Sequence, residues 1–317
     1  MTIPASSKYA IIQEMTRRDN NLLNISWLCE VAGVSRSGYY HYLGTEDLRR
    51  LRDGQDQHDF LIILEAYQFR GYSKGARGIY MRLLHMKPPV IMNIKKIRRL
   101  MKKYGLFCPI RKANPHRRIA KALKTNNVAP NLLNREFEEH GPRAVLLTDI
   151  TYIINGKAPR CYMSTIIDAC TKELLAWELS ESLEVDFVLE TVNGLTRNHG
   201  ISLTAKTLIH SDQGAHYTSI SFIQLINDSE LRRSMSRRAN CWDNAPQESF
   251  YGHMKDDIDI SWCSKFNEIH QVISEWTDYY NNDRYQWDLA KLSPREYHKY
   301  LTTGIYPLTI PKAKGQK

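Results

Sequence analysis

The chain has 317 residues, 42% hydrophobic and 25% charged, which supplies apolar material for two or more folding units and excludes disorder as the dominant state. No apolar run approaches the length of a membrane span, the opening MTIPASSKYAIIQEMTRRDN lacks a secretory-signal layout, and the six cysteines (Cys29, Cys108, Cys161, Cys170, Cys241, Cys263) form no C-x-x-C pair. Reduced thiols in a cytosol are expected, and the formal net charge of +10 permits a polyanionic partner without requiring one.

That charge is unevenly spread. Residues 1–126 hold 24 Lys+Arg against 9 Asp+Glu (+15), and residues 127–317 hold 20 against 25 (−5). Between Glu65 and Glu136 lie 18 basic residues and no acidic one. A field of one sign is costly unless a partner neutralises it, so nucleic acid is the expected partner. A membrane surface is not, because no helix here pairs a basic face with a large apolar one rich in Trp and Phe.

In chain order, ISWLCEVAGVSRSGYYHYL predicts two short helices, Ser26 to Ala32 and, after a turn at Gly33-Val34 and a cap at Ser35, a second through Leu43. The spacing of Leu28, Ala32, Val34, Tyr39 and Tyr42 fits a helix-turn-helix, with Ser35, Arg36 and Ser37 placed to meet DNA, and fits a plain helical hairpin equally well. YSKGARGIYMRLLHM predicts a further helix with Ile79, Leu83 and Leu84 inward. Asn93 then caps IKKIRRLMKKYG, whose apolar stripe (Ile94, Ile97, Leu100, Met101, Tyr104) backs a cationic face of Lys95, Arg98, Arg99, Lys102 and Lys103, the best candidate for a helix laid on DNA. The stretch RKANPHRRIAKALK has the composition of a linker able to track a phosphate backbone.

After residue 140 the pattern becomes strand, strand, strand (VLLTDITYII, RCYMSTIIDA, LLAWELS), then helix, strand TLIHSD, helix, a short strand around RSMS, and a helix opening at Asp243. This order fits an α/β, ribonuclease-H-like mixed five-stranded sheet with helices, preceded by α-helical DNA-binding units. The expected organisation is helix-turn-helix 1–45, second helical unit 46–110, basic linker 111–139, catalytic core 140–285 and C-terminal tail 286–317.

A chain that binds nucleic acid and also cuts or joins it needs a few converging carboxylates to hold Mg²⁺ against phosphate. Three stand out by position: Asp149 within the first strand, Asp212 ending the fourth, and Glu248 in the long helix, with 35 residues between the last two. On that helix Asn244, Glu248, Tyr251, Gly252 and Lys255 are expected to share the outward face, and Phe250, Met254 and Ile258 the core-directed one. Asp243 is expected to cap the helix and Asp168 to have a structural or surface role. By residue type and spacing alone, structural and catalytic roles stay equally open for each carboxylate.

The strings TDITYI, IIDAC, HSDQGAHYTS, SMSRRANCWDNAPQESFYGHMK and YYNNDRYQWDLAKLSPREY, in that order, resemble the second-frame (OrfB) transposases of the insertion-sequence-three family, which carry a DDE integrase core. The resemblance continues upstream through CEVAGVSRSGYYHYL, GARGIYMRLL, NIKKIRRLMKKYGL and VAPNLLNREF, covering nearly all of residues 25–300. Leu146 stands where family members commonly have Trp.

The resemblance implies that Asp149, Asp212 and Glu248 are the DDE triad and metal ligands, and that Lys255 contacts DNA nearby. Two Mg²⁺ ions roughly 4 Å apart are expected, with Mn²⁺ as a substitute. Implied partners are double-stranded DNA (terminal inverted repeats and target), further copies of the chain on that DNA, and an upstream-frame (OrfA) protein or a fusion with it; no membrane partner is expected, and the location is the bacterial cytoplasm and nucleoid. The expected activity is DNA strand cleavage and strand transfer. Two rivals are a catalytically silent DNA-binding repressor derived from a transposase and a ribonuclease H or junction nuclease that cuts without joining.

Overall fold

A computed structural model describes residues 3–18, 23–109, 129–130, 132–133, 140–154, 160–236 and 245–308, so the expected basic linker at 111–139 lies almost entirely outside the described residues. By its internal contacts the chain divides into residues 1–65 and 66–317, the division falling within one helix.

The first unit carries α1 (Ala5–Thr16), α2 (Ile25–Ala32), α3 (Arg36–Gly44) and most of α4 (Glu46–Gln68). Ile12, Leu28, Cys29 and Tyr39 form its buried centre, ringed by Tyr9, Met15, Ile25, Ala32, Val34 and Leu43. The turn between α2 and α3 depends on Gly33 at φ 63°, a left-handed conformation that costs an L side chain energy. Ser35 then accepts the Gly38 N–H at 3.1 Å and opens α3, as its residue type and position predict.

In the second unit, α5 (Ala76–Leu84) and α6 (Ile94–Lys103) pack against each other through Ile79, Leu83 and Leu84 on one and Ile97, Leu100 and Met101 on the other, all buried. Asn93 caps α6 by accepting the Lys95 N–H at 2.8 Å, and Lys95, Arg98, Arg99, Lys102 and Lys103 are exposed.

The remainder builds one five-stranded sheet from β1 (Val145–Ile153), β2 (Cys161–Asp168), β3 (Leu174–Ser180), β4 (Leu208–Ser211) and β5 (Arg232–Met235). Its order is β3-β2-β1-β4-β5, an antiparallel meander followed by two strands parallel to β1. This is the ribonuclease-H-like sheet that the order of elements predicts. Helices α7 (Asp186–His199) and α8 (Ile220–Asp228) contribute to one buried cluster, α9 (Ala245–Asp257) and α10 (Phe266–Asn282) to the other.

Central strand β1 serves both layers by alternation. Val145, Leu147 and Ile153 join the cluster of Phe250, Met254, Ile273 and Trp276, while Leu146 and Ile150 join that of Val188, Val192, Phe222 and Ile226. At the sheet's edge, Asn281 of α10 accepts the Leu174 N–H and donates to its carbonyl, at 2.9 and 2.8 Å, so β3 has its main chain paired from a helix.

Helix α11 (Pro294–Thr303) falls inside the stretch assigned to the C-terminal tail. Ser293 and Glu296 form its capping box around Pro294, and it packs against α10. Among the described residues the five cysteines are all free thiols, and no helix is long and apolar enough to cross a membrane.

Candidate functional site

Sheet register brings the first two carboxylates together. β1 and β4 run parallel with Val145 opposite Leu208 and Leu147 opposite His210. The same offset, continued two residues, sets Asp149 level with Asp212, and strands paired in this way lie about 4.8 Å apart. On its other side Asp149 pairs with Thr165 of β2. Both aspartates have the parity of Val145, Leu147 and Leu208, and so belong to the face covered by α9 and α10.

Helix α9 contributes the third. Phe250 and Met254 enter the core, and Glu248 is exposed, as expected. Tyr251 departs from expectation: it is buried, and its hydroxyl donates to the main-chain carbonyl of Asp149 at 2.6 Å. Four residues on, the Lys255 ammonium donates to Thr151 Oγ1 at 2.7 Å. Residues 251 and 255 on the helix are about 6.0 Å apart, and 149 and 151 on the strand about 6.6 Å, so the two repeats match and α9 lies along β1.

Burial, then the charge of Asp212, with a smaller contribution from Glu248, raises the Asp149 carboxyl to about 7, against the lowering effects of the Ile150 N–H and Lys255. Asp212 is also raised, by burial of its carboxyl, against the lowering effects of the Gly214 N–H, which it accepts at 2.8 Å, and of His216, although the residue as a whole is exposed. A Cβ on Gly214 would stand 2.8 Å from that same oxygen, so the loop after β4 admits only glycine without displacing Asp212. As the side chains stand, no group of three or more His, Cys, Asp and Glu among the described residues is gathered tightly enough to hold a metal ion. Asp212 and Glu248 are near enough to raise Asp149, and the three are not closed on a common point.

Asp168 has the structural role expected of it. It is fully buried, accepts the Arg143 N–H and guanidinium at 2.9 and 3.0 Å, and accepts the Cys170 and Thr171 N–H groups. Arg143 continues to Glu173 at 2.7 Å, which faces Arg295 of α11.

Of the residues expected to meet DNA, Arg36 and Ser37 are exposed, and Ser35 has its hydroxyl engaged in the α3 cap. Asn244 lies outside the described residues. Sequence reasoning missed Thr165, Gln247 and Gly214, and placed Tyr251 on the outward face. Only Gly214 had a local signal, the turn-forming glycine two residues after an aspartate that ends a strand.

Comparison with known proteins adds three domain matches: an Integrase core domain over residues 139–241, a second Integrase core domain over 229–294, and an HTH-like domain over 55–114. The chain is 30% identical over 216 residues to an uncharacterized transposase-like protein of Haemophilus influenzae, covering 67% of this chain and 95% of that one. It is 29% identical to the insertion element IS600 31 kDa protein of Shigella sonnei, over 86% of this chain and 97% of that one. It is 25% identical to the transposase InsF of insertion sequence IS3A in Escherichia coli, over 86% and 93%.

Proposed function

The chain belongs to the insertion-sequence-three family of transposases with an integrase core, and from that premise we propose that it binds the terminal inverted repeats of its element and catalyses divalent-metal-dependent cleavage and joining of DNA strands. What supports this reading is the parallel register of β1 and β4, which, continued beyond its last pair, brings Asp149 level with Asp212, the residue after β4, with Glu248 close enough to raise Asp149 further.

The donor set suits the metal. Carboxylate oxygens are the hard ligands that Mg²⁺ takes, and three anionic groups with one lysine nearby leave negative charge for a cation to balance. Asp149, Asp212 and Glu248 would hold it. Bound there, it supplies acidification of the attacking water or 3′-hydroxyl and neutralisation of charge on the phosphate. The chain's own part is positional: β1 and β4 fix two ligands by register, α9 fixes the third, and Lys255 places a cation beside Thr151 at the edge of the phosphate path. In this scheme the nucleophile is water or the DNA 3′-hydroxyl, so no covalent protein intermediate forms. Two element ends have to be held at once, which calls for more than one copy on the DNA.

The test is an end-repeat duplex with Mg²⁺, scored for nicked and joined products. Asp149→Asn, Asp212→Asn and Glu248→Gln are each expected to lower both by more than about 100-fold, beyond the usual effect of losing a residue that only supports a metal ligand, while retaining DNA affinity. Near-normal cleavage by any of the three rejects the assignment. Binding without any metal-dependent nicking in the unaltered chain selects the silent repressor, and nicking without joining selects a nuclease.

A further inference from the structure

The amide of Gln247 is fully buried, its nitrogen donates to Thr165 Oγ1, and its oxygen has no hydrogen-bond partner among the described residues. Burying an amide half satisfied is unfavourable, and a leucine of similar volume would remove that cost. Some gain elsewhere has to account for the glutamine.

Its neighbours suggest where. Tyr251 commits its only proton to the Asp149 carbonyl, so in the 2.7 Å bond with Thr165 the tyrosine accepts and the threonine donates. Thr165 in turn receives from the Gln247 amide. All three bonds therefore run in one direction: Gln247 to Thr165, Thr165 to Tyr251, Tyr251 to Asp149. Bonds aligned head to tail polarise one another and strengthen. The chain leaves α9 at Gln247, passes through Thr165 of β2, the register partner of Asp149, returns to α9 at Tyr251 and ends on Asp149, so it meets α9 one residue before and three residues after Glu248. A phenol keeps its proton near neutral pH, so Tyr251 is a donor to that carbonyl.

We propose that Gln247, Thr165 and Tyr251 are positioning residues that set the distance between Glu248 and Asp149, and with it the metal affinity of the site. The proposal rests on the reading of Asp149 and Glu248 as metal ligands. None of the three touches substrate or metal; they act by locking α9 in rotation and height against β1.

The experiment measures, on the full chain, Mn²⁺ binding by electron paramagnetic resonance, Tm, DNA affinity and end cleavage. The variants are Tyr251→Phe, Thr165→Val, Thr165→Ser and Gln247→Leu, with Asp149→Asn as a control. Tyr251→Phe, Thr165→Val and Gln247→Leu are expected to weaken Mn²⁺ binding and cleavage by about 10–100-fold, the range for groups that orient metal ligands, at unchanged DNA affinity. Gln247→Leu is expected to do so with Tm equal or raised, which a purely structural role does not allow, and Thr165→Ser is expected to restore both readouts. Losses that track Tm across the set, or failure of Thr165→Ser to restore them, overturn the proposal. If Asp149→Asn abolishes Mn²⁺ binding while the other variants keep it, only the positioning role fails. If Asp149→Asn keeps it, the metal reading itself fails.

Discussion

Two strand aspartates with the same sequence signature, Asp149 and Asp168, differ in what surrounds them. Asp168 is compensated completely, by a guanidinium and three main-chain N–H groups. Replacing it with alanine removes one of the two carboxylates that pair with buried Arg143 and strips three main-chain N–H groups of their acceptor, and is expected to cost about 3–5 kcal/mol in denaturant unfolding. Asp149 has one local N–H and a lysine set against burial and two like charges. Its folded carboxyl titrates at about 7 against 3.8 when unperturbed, so between those values the folded chain keeps a proton that the unfolded chain releases. Stability therefore falls as pH rises across that window and stays reduced above it. In metal-free buffer with chelator, Asp149→Asn is expected to raise Tm above pH 7 and to leave it unchanged near pH 4; an advantage of equal size at both pH values contradicts the titration. An acid inside a β-branched strand made Asp149 legible as a candidate, but the charged partners that separate it from Asp168, Arg143 for one and Asp212 and Glu248 for the other, lie 25 and more residues away, where no local pattern encodes them.

Among the elements, α2, α3 and α6 were readable from their caps, because caps are local chemistry. Ser35, Asn93 and Gly33 each do what their residue type predicts. The face of α9 was less so. Three-residue spacing groups Tyr251 with Glu248, yet the tyrosine turns inward because its hydroxyl finds a buried carbonyl to satisfy, an outcome decided by tertiary packing. The α6 face keeps its expected character: five basic residues exposed along one side and an apolar stripe on the other. If that face lies on DNA, neutralising Arg98, Arg99, Lys102 and Lys103 with glutamine is expected to flatten the slope of log affinity against log salt by about one unit for each phosphate left without its cation. Affinity measured from 50 to 200 mM salt checks this, and an unchanged slope moves the DNA face elsewhere.

On the scale of the molecule, the net charge of +10 is an average of a basic half and an acidic half with different tasks. The acid-free window from residue 66 to 135 precedes a core in which carboxylates crowd one site and an ionic cluster of Arg143, Asp168, Glu173 and Arg295 ties β1, the β2–β3 turn and α11 together. Strand order and class could be read from the sequence, since periodicity and element order survive without partners. The level placement of Asp149 and Asp212 could not, because it is a property of two strands at once. That placement also makes the protein unequally sensitive to kinds of genetic change. Deleting one codon from the part of β1 before Asp149 moves the aspartate to the opposite layer, and deleting two restores the layer but leaves it about 6.6 Å out of step with β4. Substitutions in the same stretch need only preserve bulk, so its length is expected to be under tighter constraint than its spelling.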